Sequence, residues 1–447
     1  MVVSACSWFR PYPISIAENS AISRIFDQDS TCESLTTVYF LLSRPAMQMQ
    51  RNSDYSWRMS VFFGGIFIPM GIYIPYFSLW LKDLGLSPQA IGLVLTIPLI
   101  TRVIFTPIMG GLADKLGDRR LTLRIYSLFY FLTFAAILLS NSLVWIMMVM
   151  ILSSLFQAAI VPVSDSLAMA GVRRLNLDYG RMRLWGSAAF ILSNLVGGSI
   201  IATWSESSII WMLVSGNCIT ALLSFLLPMD PRVEDGKTLA KTASFEWKDL
   251  KQFVQTGFWI ILLATALLQA SHSLLYGFGS IFWKEIGIGE TQIGFLWAVS
   301  VIFEIVFFTF SKRLSIWLTW PRLLTIGAIG GIIRWGLFPL DLPVEGYFLL
   351  QILHAASFAA SHLGTMFFLS EFVEDHLSGT AQGLLTMLSG LFMAAGTMIA
   401  GSLFAQWHGD AFYLMMALCL ISLILIMLAK LVSIKKIGGQ SSEFIEE

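Results

Sequence analysis

Seven ionisable side chains stand inside strongly apolar stretches of this sequence: Arg102, Asp165, His272, Glu304, Arg334, His354 and His362. Burying a charge in hydrocarbon costs about 3 kcal/mol, so such residues are functional candidates by default. A buried carboxylate or imidazole changes its proton affinity when a cation approaches or leaves it, and can therefore load and release a proton. We predict that Glu304 is the main proton-carrying group. The alternative is a structural ion pair of Glu304 with Arg334 or with a histidine.

Polar side chains recur at every third or fourth position of three apolar segments. One segment carries Thr265, Gln269, His272, Tyr276 and Ser280, a second carries Gln351, His354, Ser357, Ser361 and Thr365, and a third carries Ser154, Gln157, Ser164 and Asp165. This spacing places each series on one face of a helix. Such faces line a polar cavity, or they hold helices together by interhelical hydrogen bonds. We expect a substrate cavity lined by Gln269, His272, Tyr276, Gln351, His354, Ser357, Ser361, Gln157, Asp165 and Arg102.

Residue counts along straight helices give the depth of each ionisable group. These depths predict that Glu304 meets His362, and that Arg334 meets either His354 or an acidic substrate. Arg102 and Asp165 fall at equal depths, which favours a structural pair. The alternative makes Arg102 an anchor for a substrate carboxylate, because a guanidinium binds carboxylates in a bidentate manner.

The elements that position these residues are membrane-spanning helices. Only 13% of the 447 residues are charged, against about 25% in soluble domains. A span needs about 20 apolar residues, and twelve stretches qualify. Spans 1–6 are predicted at 57–80, 88–112, 121–140, 143–169, 184–204 and 208–228, and spans 7–12 at 256–281, 290–311, 321–341, 345–370, 378–404 and 410–433. The sequence thus predicts an all-α membrane protein with two six-helix bundles, 57–228 and 255–433, joined by a charged cytoplasmic linker, 229–254.

The loops give the orientation. Nearly all Lys and Arg of the short loops lie on the side of the N-terminus, and only Lys82 and Lys284 lie on the other side. The positive-inside rule therefore predicts that both termini, including the tail 434–447, are cytoplasmic. Residues 1–56 show no helical period and no signal-peptide pattern. We predict a poorly ordered extension there, or an upstream start with Met47, Met49 or Met59 as the true beginning.

An internal repeat relates the two bundles. Lys82-Asp83-Leu84-Gly85-Leu86 with Ile91-Gly92 matches Lys284-Glu285-Ile286-Gly287-Ile288 with Ile293-Gly294 at a constant spacing, and each copy precedes the second span of its bundle. The same spacing carries Arg102 onto Glu304. Two repeats related along the membrane normal are how one class of transporters builds a central site.

The run Gly110-Gly111-Leu112-Ala113-Asp114-Lys115-Leu116-Gly117-Asp118-Arg119-Arg120 resembles the loop signature of the major facilitator superfamily between its second and third helices. The resemblance implies a gating role for Gly110, Asp114, Lys115, Gly117, Arg119 and Arg120, and for Arg181 and Arg183 in a second cytoplasmic loop. It also implies that spans 1, 4, 7 and 10 line the central cavity. Three of those four spans carry the polar series.

A narrower resemblance links the chain to the 3-phenylpropionate permease group. It is carried by the runs 76–82, 177–187, 276–278, 331–336 and 351–354. The lactose permease group of the same superfamily places an acid on span 8, an arginine on span 9 and a histidine on span 10 for proton coupling. Glu304, Arg334, His354 and His362 fit that arrangement, although Ser357 stands where that group has a second acid.

These observations predict a secondary active transporter that carries a small aromatic carboxylate together with protons. The alternatives are a proton symporter for a sugar or nucleoside, a drug or metabolite exporter, and a non-transporting receptor. The sequence contains neither a P-loop nor HExxH, and its four cysteines are scattered, so we expect no ATPase, no enzyme, no metal and no cofactor. The expected partners are the substrate, protons and the bilayer of the plasma (inner) membrane, with no nucleic acid, and the expected state is a monomer.

Overall fold

The computed structural model describes residues 33–230, 253–314, 317–374, 377–432 and 437, and the side chains of these residues except 33–51 and 312. This part of the chain is almost wholly helical. The helices cover Glu33–Asp83, Pro88–Leu116, Arg119–Ala135, Leu143–Gln157, Ile160–Leu175, Tyr179–Thr203, Ser208–Ser224, Thr256–Ala270, Ser273–Glu285, Glu290–Thr309, Ser311–Leu314, Trp320–Leu337, Val344–Ile352, Ser361–Phe372, Ser378–Trp407 and Phe412–Ala429. A π-helical turn covers Ala355–Ala360, and 3₁₀ turns cover Ala136–Leu139 and His408–Ala411.

Nine helices in the described ranges are long and apolar enough to cross a membrane. Two of the predicted spans fall outside this set: Ser208–Ser224 is shorter, and Trp320–Leu337 is not among the nine. Spans 11 and 12 count there as one segment, Ser378–Ala429, which bends at His408, where φ is 44°. The all-helical membrane architecture is therefore confirmed, and the count of twelve spans stays a prediction.

The two copies of the internal repeat fold as the same helix-ending turn. Gly85 and Gly287 both adopt the left-handed conformation, with φ of 78° and 88°. In the first copy Gly85 N–H donates to Lys82 C=O and Leu86 N–H to Leu81 C=O, and in the second copy Gly287 and Ile288 donate to Lys284 and Trp283. This pair of bonds is the Schellman motif, in which glycine avoids the strain that a Cβ would introduce. The sequence repeat is thus also a structural repeat.

Three predicted spans are interrupted near their middle, and these are the three that carry the polar series. Span 4 breaks between Gln157 and Ile160, span 7 breaks at Ser271 and His272, and span 10 widens into the π turn Ala355–Ala360. Such irregular backbone is tolerated at membrane depth where it is buried in protein or lines a cavity. Each break lies among the polar side chains that the sequence assigned to the cavity.

The N-terminal half (residues before 230) and the C-terminal half (residues after 253) meet along two pairs of helices. Pro88–Leu116 packs along Ser378–Trp407, and Tyr179–Thr203 packs along Glu290–Thr309. We call the end of the bundle that holds the two repeat turns the Lys82 end, and the opposite end the Asp114 end. At the Lys82 end the halves touch closely: a Cβ on Gly92 would stand 3.2 Å from the backbone of Gly401.

At the Asp114 end the same helices stand apart. Added Cβ atoms on Gly110 and Gly111 of one helix, or on Gly379 and Gly383 of its partner, would meet no described atom within 4 Å. The contact between the halves is thus tight at one end and open at the other.

The first helix begins at Glu33, within the predicted extension 1–56. Its residues before 57 contact the rest of the bundle: Tyr55 donates a hydrogen bond to Leu167 C=O (2.7 Å), and Asn52 donates to Leu175 C=O (3.1 Å). The predicted extension 1–56 lies outside the described residues up to 32. Most of the linker 229–254 and of the tail 434–447 also lies outside them, except that Ile437 forms a β-bridge with Val373.

Candidate functional site

A cavity of about 420 Å³ lies between the two halves. Six of the predicted site residues line it: Arg102, Gln157, Gln269, Tyr276, Glu304 and His354. The remaining wall is mostly aromatic and aliphatic, with Tyr73, Tyr130, Phe134, Phe190, Trp297 and Phe358 as its large rings. A largely apolar pocket with few convergent polar groups is the usual form of a small-molecule site.

Arg334 organises the C-terminal side of this cavity. Its side chain is fully buried (0% exposed) and lies over the ring of Trp335 at 4.5 Å. The guanidinium donates to His354 Nδ1 (3.0 Å), to Ser357 Oγ (3.3 Å) and to Gln351 Oε1. The predicted contact between Arg334 and His354 is thus present. The hydrogen bonds that Arg334 donates all go to neutral protein groups.

The arginine also fixes the tautomer of His354. A guanidinium can only donate, so His354 Nδ1 must accept, and a neutral His354 carries its proton on Nε2. His354 Nε2 lies 3.7 Å from Glu304 Oε2. The chain of groups Arg334–His354–Glu304 therefore presents an N–H, rather than a lone pair, to the carboxylate at the cavity wall.

A branch of the same network runs to span 7. His272 Nδ1 faces Leu268 C=O (3.0 Å), an acceptor, so the proton of a neutral His272 is on Nδ1. Ser357 Oγ then accepts from Arg334 and donates to His272 Nε2 (3.2 Å). The break in span 7 makes this contact, because it turns His272 toward span 10. His272, Ser357 and Gln351 thus support the cavity wall from behind rather than line it, and Ser361, whose hydroxyl bonds backbone carbonyls of its own helix, does not line it either.

Glu304 is the acidic member of the cavity. It is buried, and its Oε1 has no hydrogen-bond partner among the described residues. His362, which the depth count placed opposite Glu304, lies within electrostatic range of it but makes no hydrogen bond to it. His354 is the histidine in contact instead, because the irregular turn of span 10 invalidates a count along a straight helix.

The predicted structural pair of Arg102 with Asp165 is not formed. Asp165 accepts a hydrogen bond from the Tyr179 hydroxyl (2.8 Å) in the N-terminal half, and it lies near Arg183, which stacks over Phe67 at 4.0 Å. Arg102 faces the cavity. Two residues at equal depth form a pair only if their side chains point toward each other. Asp165 points to Tyr179 and Arg102 to the cavity.

The predicted gating loop forms a tight turn at the Asp114 end. Gly117 ends one helix in the left-handed conformation (φ 73°), and Asp118 begins the next by accepting from the backbone N–H groups of Arg120 and Leu121. Arg119 donates to Ser166 C=O (3.1 Å), and Arg181 lies 3.7 Å from Asp178. Asp114 and Lys115 are exposed. The turn is built as the signature implies, and its role as a latch stays a prediction.

Ion pairs at the Lys82 end were missed by the sequence reasoning. Lys82 pairs with Glu285 of the other half (2.8 Å), and Lys284 pairs with Glu290 (2.8 Å) and with Glu206 of the other half. The internal repeat was the available signal, since its two lysines occupy equivalent positions.

Comparison with known proteins agrees with this geometry. A family model described as the MFS_1 like family matches residues 56–434. The chain belongs to this family. It is 30% identical over 352 residues to a probable 3-phenylpropionic acid transporter of Escherichia coli (strain K12), over 79% of this chain and 92% of that protein. A maltose permease of Geobacillus stearothermophilus is 27% identical over 380 residues, or 83% of this chain and 93% of the relative.

The fold agrees as well. The nucleoside transporter NupG superposes with a TM-score of 0.73 at 17% identity, over 84% of this chain and 98% of that structure. The family model and the Escherichia coli relative confirm the resemblance to the major facilitator superfamily. This protein is a multi-span membrane transporter and not an enzyme.

Proposed function

We propose that this transporter is a proton symporter of a small aromatic carboxylate, working by alternating access in the plasma (inner) membrane. The proposal includes twelve spans in two six-helix bundles, with both termini in the cytoplasm. In that orientation the Lys82 end is extracellular and closed, and the Asp114 end is cytoplasmic and open. The observation that carries the proposal is the contact series Arg334–His354–Glu304 at the wall of a mostly aromatic cavity.

The surroundings of Glu304 support the proposed proton coupling. One carboxylate oxygen faces the N–H of His354 and the other has no partner in the described chain. A protonated Glu304 needs no counter-charge, whereas an ionised Glu304 depends on nearby cations for stability. Movement of the halves changes the distance between Glu304 and the nearby cations. The proton can therefore be taken up on one side of the membrane and released on the other.

The substrate class is supported by two independent facts. The E. coli relative is named for 3-phenylpropionic acid. The cavity offers several aromatic rings and a cation, Arg102, which suit an aromatic ring and a carboxylate. Sugar or nucleoside symport is the second candidate, because the amides of Gln157 and Gln269 also line the cavity and the Geobacillus relative is a maltose permease.

The deciding experiment is uptake of labelled 3-phenylpropionate at mildly acidic pH into cells expressing the full chain, with and without a protonophore. We expect accumulation that collapses with the protonophore. Glu304→Gln should lose proton-driven accumulation by about 100-fold or more and keep exchange of internal for external substrate, because exchange needs no net proton movement. Glu345→Gln, at an exposed position, is the matched control.

Each contrary outcome has its own meaning. Full accumulation by Glu304→Gln would contradict the role of Glu304 and leave the substrate standing. No uptake by the wild type, with the protein present in the membrane, would overturn the aromatic-acid proposal and favour maltose or a nucleoside in the same assay. Saturable binding without uptake would favour a receptor.

A further inference from the structure

The two arginines nearest the cavity differ in what their guanidinium groups contact. Arg334 has no exposed surface and makes three hydrogen bonds to Gln351, His354 and Ser357. Arg102 is surrounded by protein, yet its side chain is exposed, because the cavity reaches it. Among the described residues, no hydrogen bond or ion pair to Arg102 occurs.

The helix that carries Arg102 aims it at the cavity. Leu95, Pro98, Leu99 and Arg102 all line the cavity from Pro88–Leu116. Their spacing of three and four residues defines one helix face. Arg102 is the only polar member of that face, and it is a cation in an interior where an unpaired charge is costly.

A second polar group without a partner belongs to a residue that lines the same cavity. Tyr73 lines the cavity from the first helix, and its ring stacks on Phe77 with 4.7 Å between centroids. The Tyr73 hydroxyl is buried and has no hydrogen-bond partner in the described part of the chain. Arg102 and Tyr73 are close enough to interact electrostatically. Because the guanidinium and the hydroxyl both lack a hydrogen-bond acceptor, together they suit a ligand group that only accepts hydrogen bonds.

We propose that Arg102 and Tyr73 form the carboxylate-binding site of the cavity and set its preference for an anion over a neutral solute. The inference rests on the proposed function and adds to it the residues that recognise the charge. A carboxylate can accept two parallel bonds from Arg102 and a third from the Tyr73 hydroxyl. A neutral polyol or amide leaves the Arg102 cation without a counter-ion.

The aromatic wall lies where the rest of such a ligand would extend. Tyr130 and Phe134 line the cavity from the N-terminal half, and Tyr276 and Trp297 line it from the C-terminal half, stacked with 6.0 Å between ring centroids. Rings on both halves allow the two halves to close on a flat apolar group. Recognition then divides between the halves: the charge is bound by the N-terminal half alone, and the ring by both.

Direct binding to the purified full chain tests the proposal, with 3-phenylpropionate and its neutral isostere 3-phenylpropionamide as probes at neutral pH. We expect the wild type to prefer the acid by about 100-fold. Arg102→Gln should bring the acid-to-amide ratio close to one. Arg102→Lys should keep a reduced preference, because the charge remains without the bidentate geometry. Tyr73→Phe should lower the ratio by about fivefold.

The controls separate this inference from the proposed function. Arg322→Gln, which loses a bond to the Trp317 carbonyl far from the cavity, should leave the ratio unchanged. If the wild type binds the acid and Arg102→Gln, or Arg102→Lys where Arg102→Gln does not fold, keeps the wild-type ratio, the carboxylate site is overturned and the aromatic-acid proposal stands. If the wild type binds neither probe, both fall.

Discussion

The two walls of the cavity use their polar groups in opposite ways. On the C-terminal side, Arg334, His354 and Ser357 are linked to one another by hydrogen bonds, and that network ends at Glu304. On the N-terminal side, the described residues give neither Arg102 nor the Tyr73 hydroxyl a partner. The C-terminal wall is thus largely preorganised by its own hydrogen bonds, although Arg334 Nε and Glu304 Oε1 have no partner among the described residues, and the N-terminal wall is prepared for a ligand.

This difference suggests a division of labour that the sequence repeat obscures. Arg102 and Glu304 occupy equivalent repeat positions, and both line the cavity. Opposite charges at equivalent positions give the two halves separate tasks: we propose that one half binds the solute and the other handles the proton. Coupling then requires only that both tasks share one cavity, since closure of the halves changes the electrostatic surroundings of both groups at once.

The largest effect is expected from removing Arg334 from the hydrogen-bond network on the C-terminal side of the cavity. Arg334→Met should reduce proton-driven uptake by about 100-fold or more and destabilise the protein by about 3 kcal/mol, because it leaves Gln351, His354 and Ser357 without their donor. Uptake and thermal unfolding in detergent measure the two effects. Arg334→Lys should recover little, since an ammonium donates from one nitrogen and cannot match the fork in which Nη1 and Nη2 of Arg334 bond different partners.

Arg322→Met is the matched control for this variant, because Arg322 is exposed and bonds only a backbone carbonyl. Near-normal uptake by Arg334→Met would mean that the C-terminal network has a packing role and no part in coupling.

A smaller effect is expected from giving Arg102, on the N-terminal side of the cavity, a carboxylate partner from the protein itself. Leu99 lies three residues before Arg102 on the same cavity-lining face. A Leu99→Glu carboxylate can pair with Arg102 at this spacing and occupy the position that we assign to the substrate. Uptake of the aromatic acid should then fall by about tenfold relative to Leu99→Gln, which matches it in size without the charge.

Equal uptake by Leu99→Glu and Leu99→Gln would show that the charge of the solute is bound elsewhere in the cavity. A loss in both variants would assign the effect to the lost leucine instead.

The sequence predicted the helices, the repeat and part of the cavity, because each depends on local pattern. Gln269, Tyr276 and His354 were found through their spacing along a helix, and spacing survives folding. The turns at Gly85 and Gly287 were recognised as repeats for the same reason. These features need no knowledge of how one helix faces another.

The partners of Asp165 and Glu304 were predicted wrongly, because the direction of a side chain cannot be read from its spacing along the sequence. The direction of Asp165 toward Tyr179, and of His354 rather than His362 toward Glu304, depends on helix rotation and on the irregular turn at Ala355–Ala360. Apart from Tyr276, the rings of the aromatic wall were not predicted individually, because a tyrosine such as Tyr73 in an apolar span has the same local pattern whether it faces lipid or a cavity.

The smallest effect concerns the contact that holds the two walls together at the Lys82 end. Lys284 bridges Glu206 and Glu290, whereas Lys82 has Glu285 as its one acidic partner in the described chain. Because these pairs are partly exposed, each contributes at most about 1 kcal/mol. Lys284→Ala should therefore shift the equilibrium away from the state closed at the Lys82 end by about fivefold or less, and Lys82→Ala by less than that.

Labelling of G383C, at the open Asp114 end, measures this shift in a background with the other cysteines replaced. The labelling rate should fall in Lys284→Ala more than in Lys82→Ala, and high salt should reduce the difference, because it screens the ion pairs in the unmodified protein. Lys430→Ala, at an exposed site in neither pair, should label at the starting rate. An unchanged rate in Lys284→Ala would mean that glycine packing, such as Gly92 against Gly401, closes this end without help from the ion pairs.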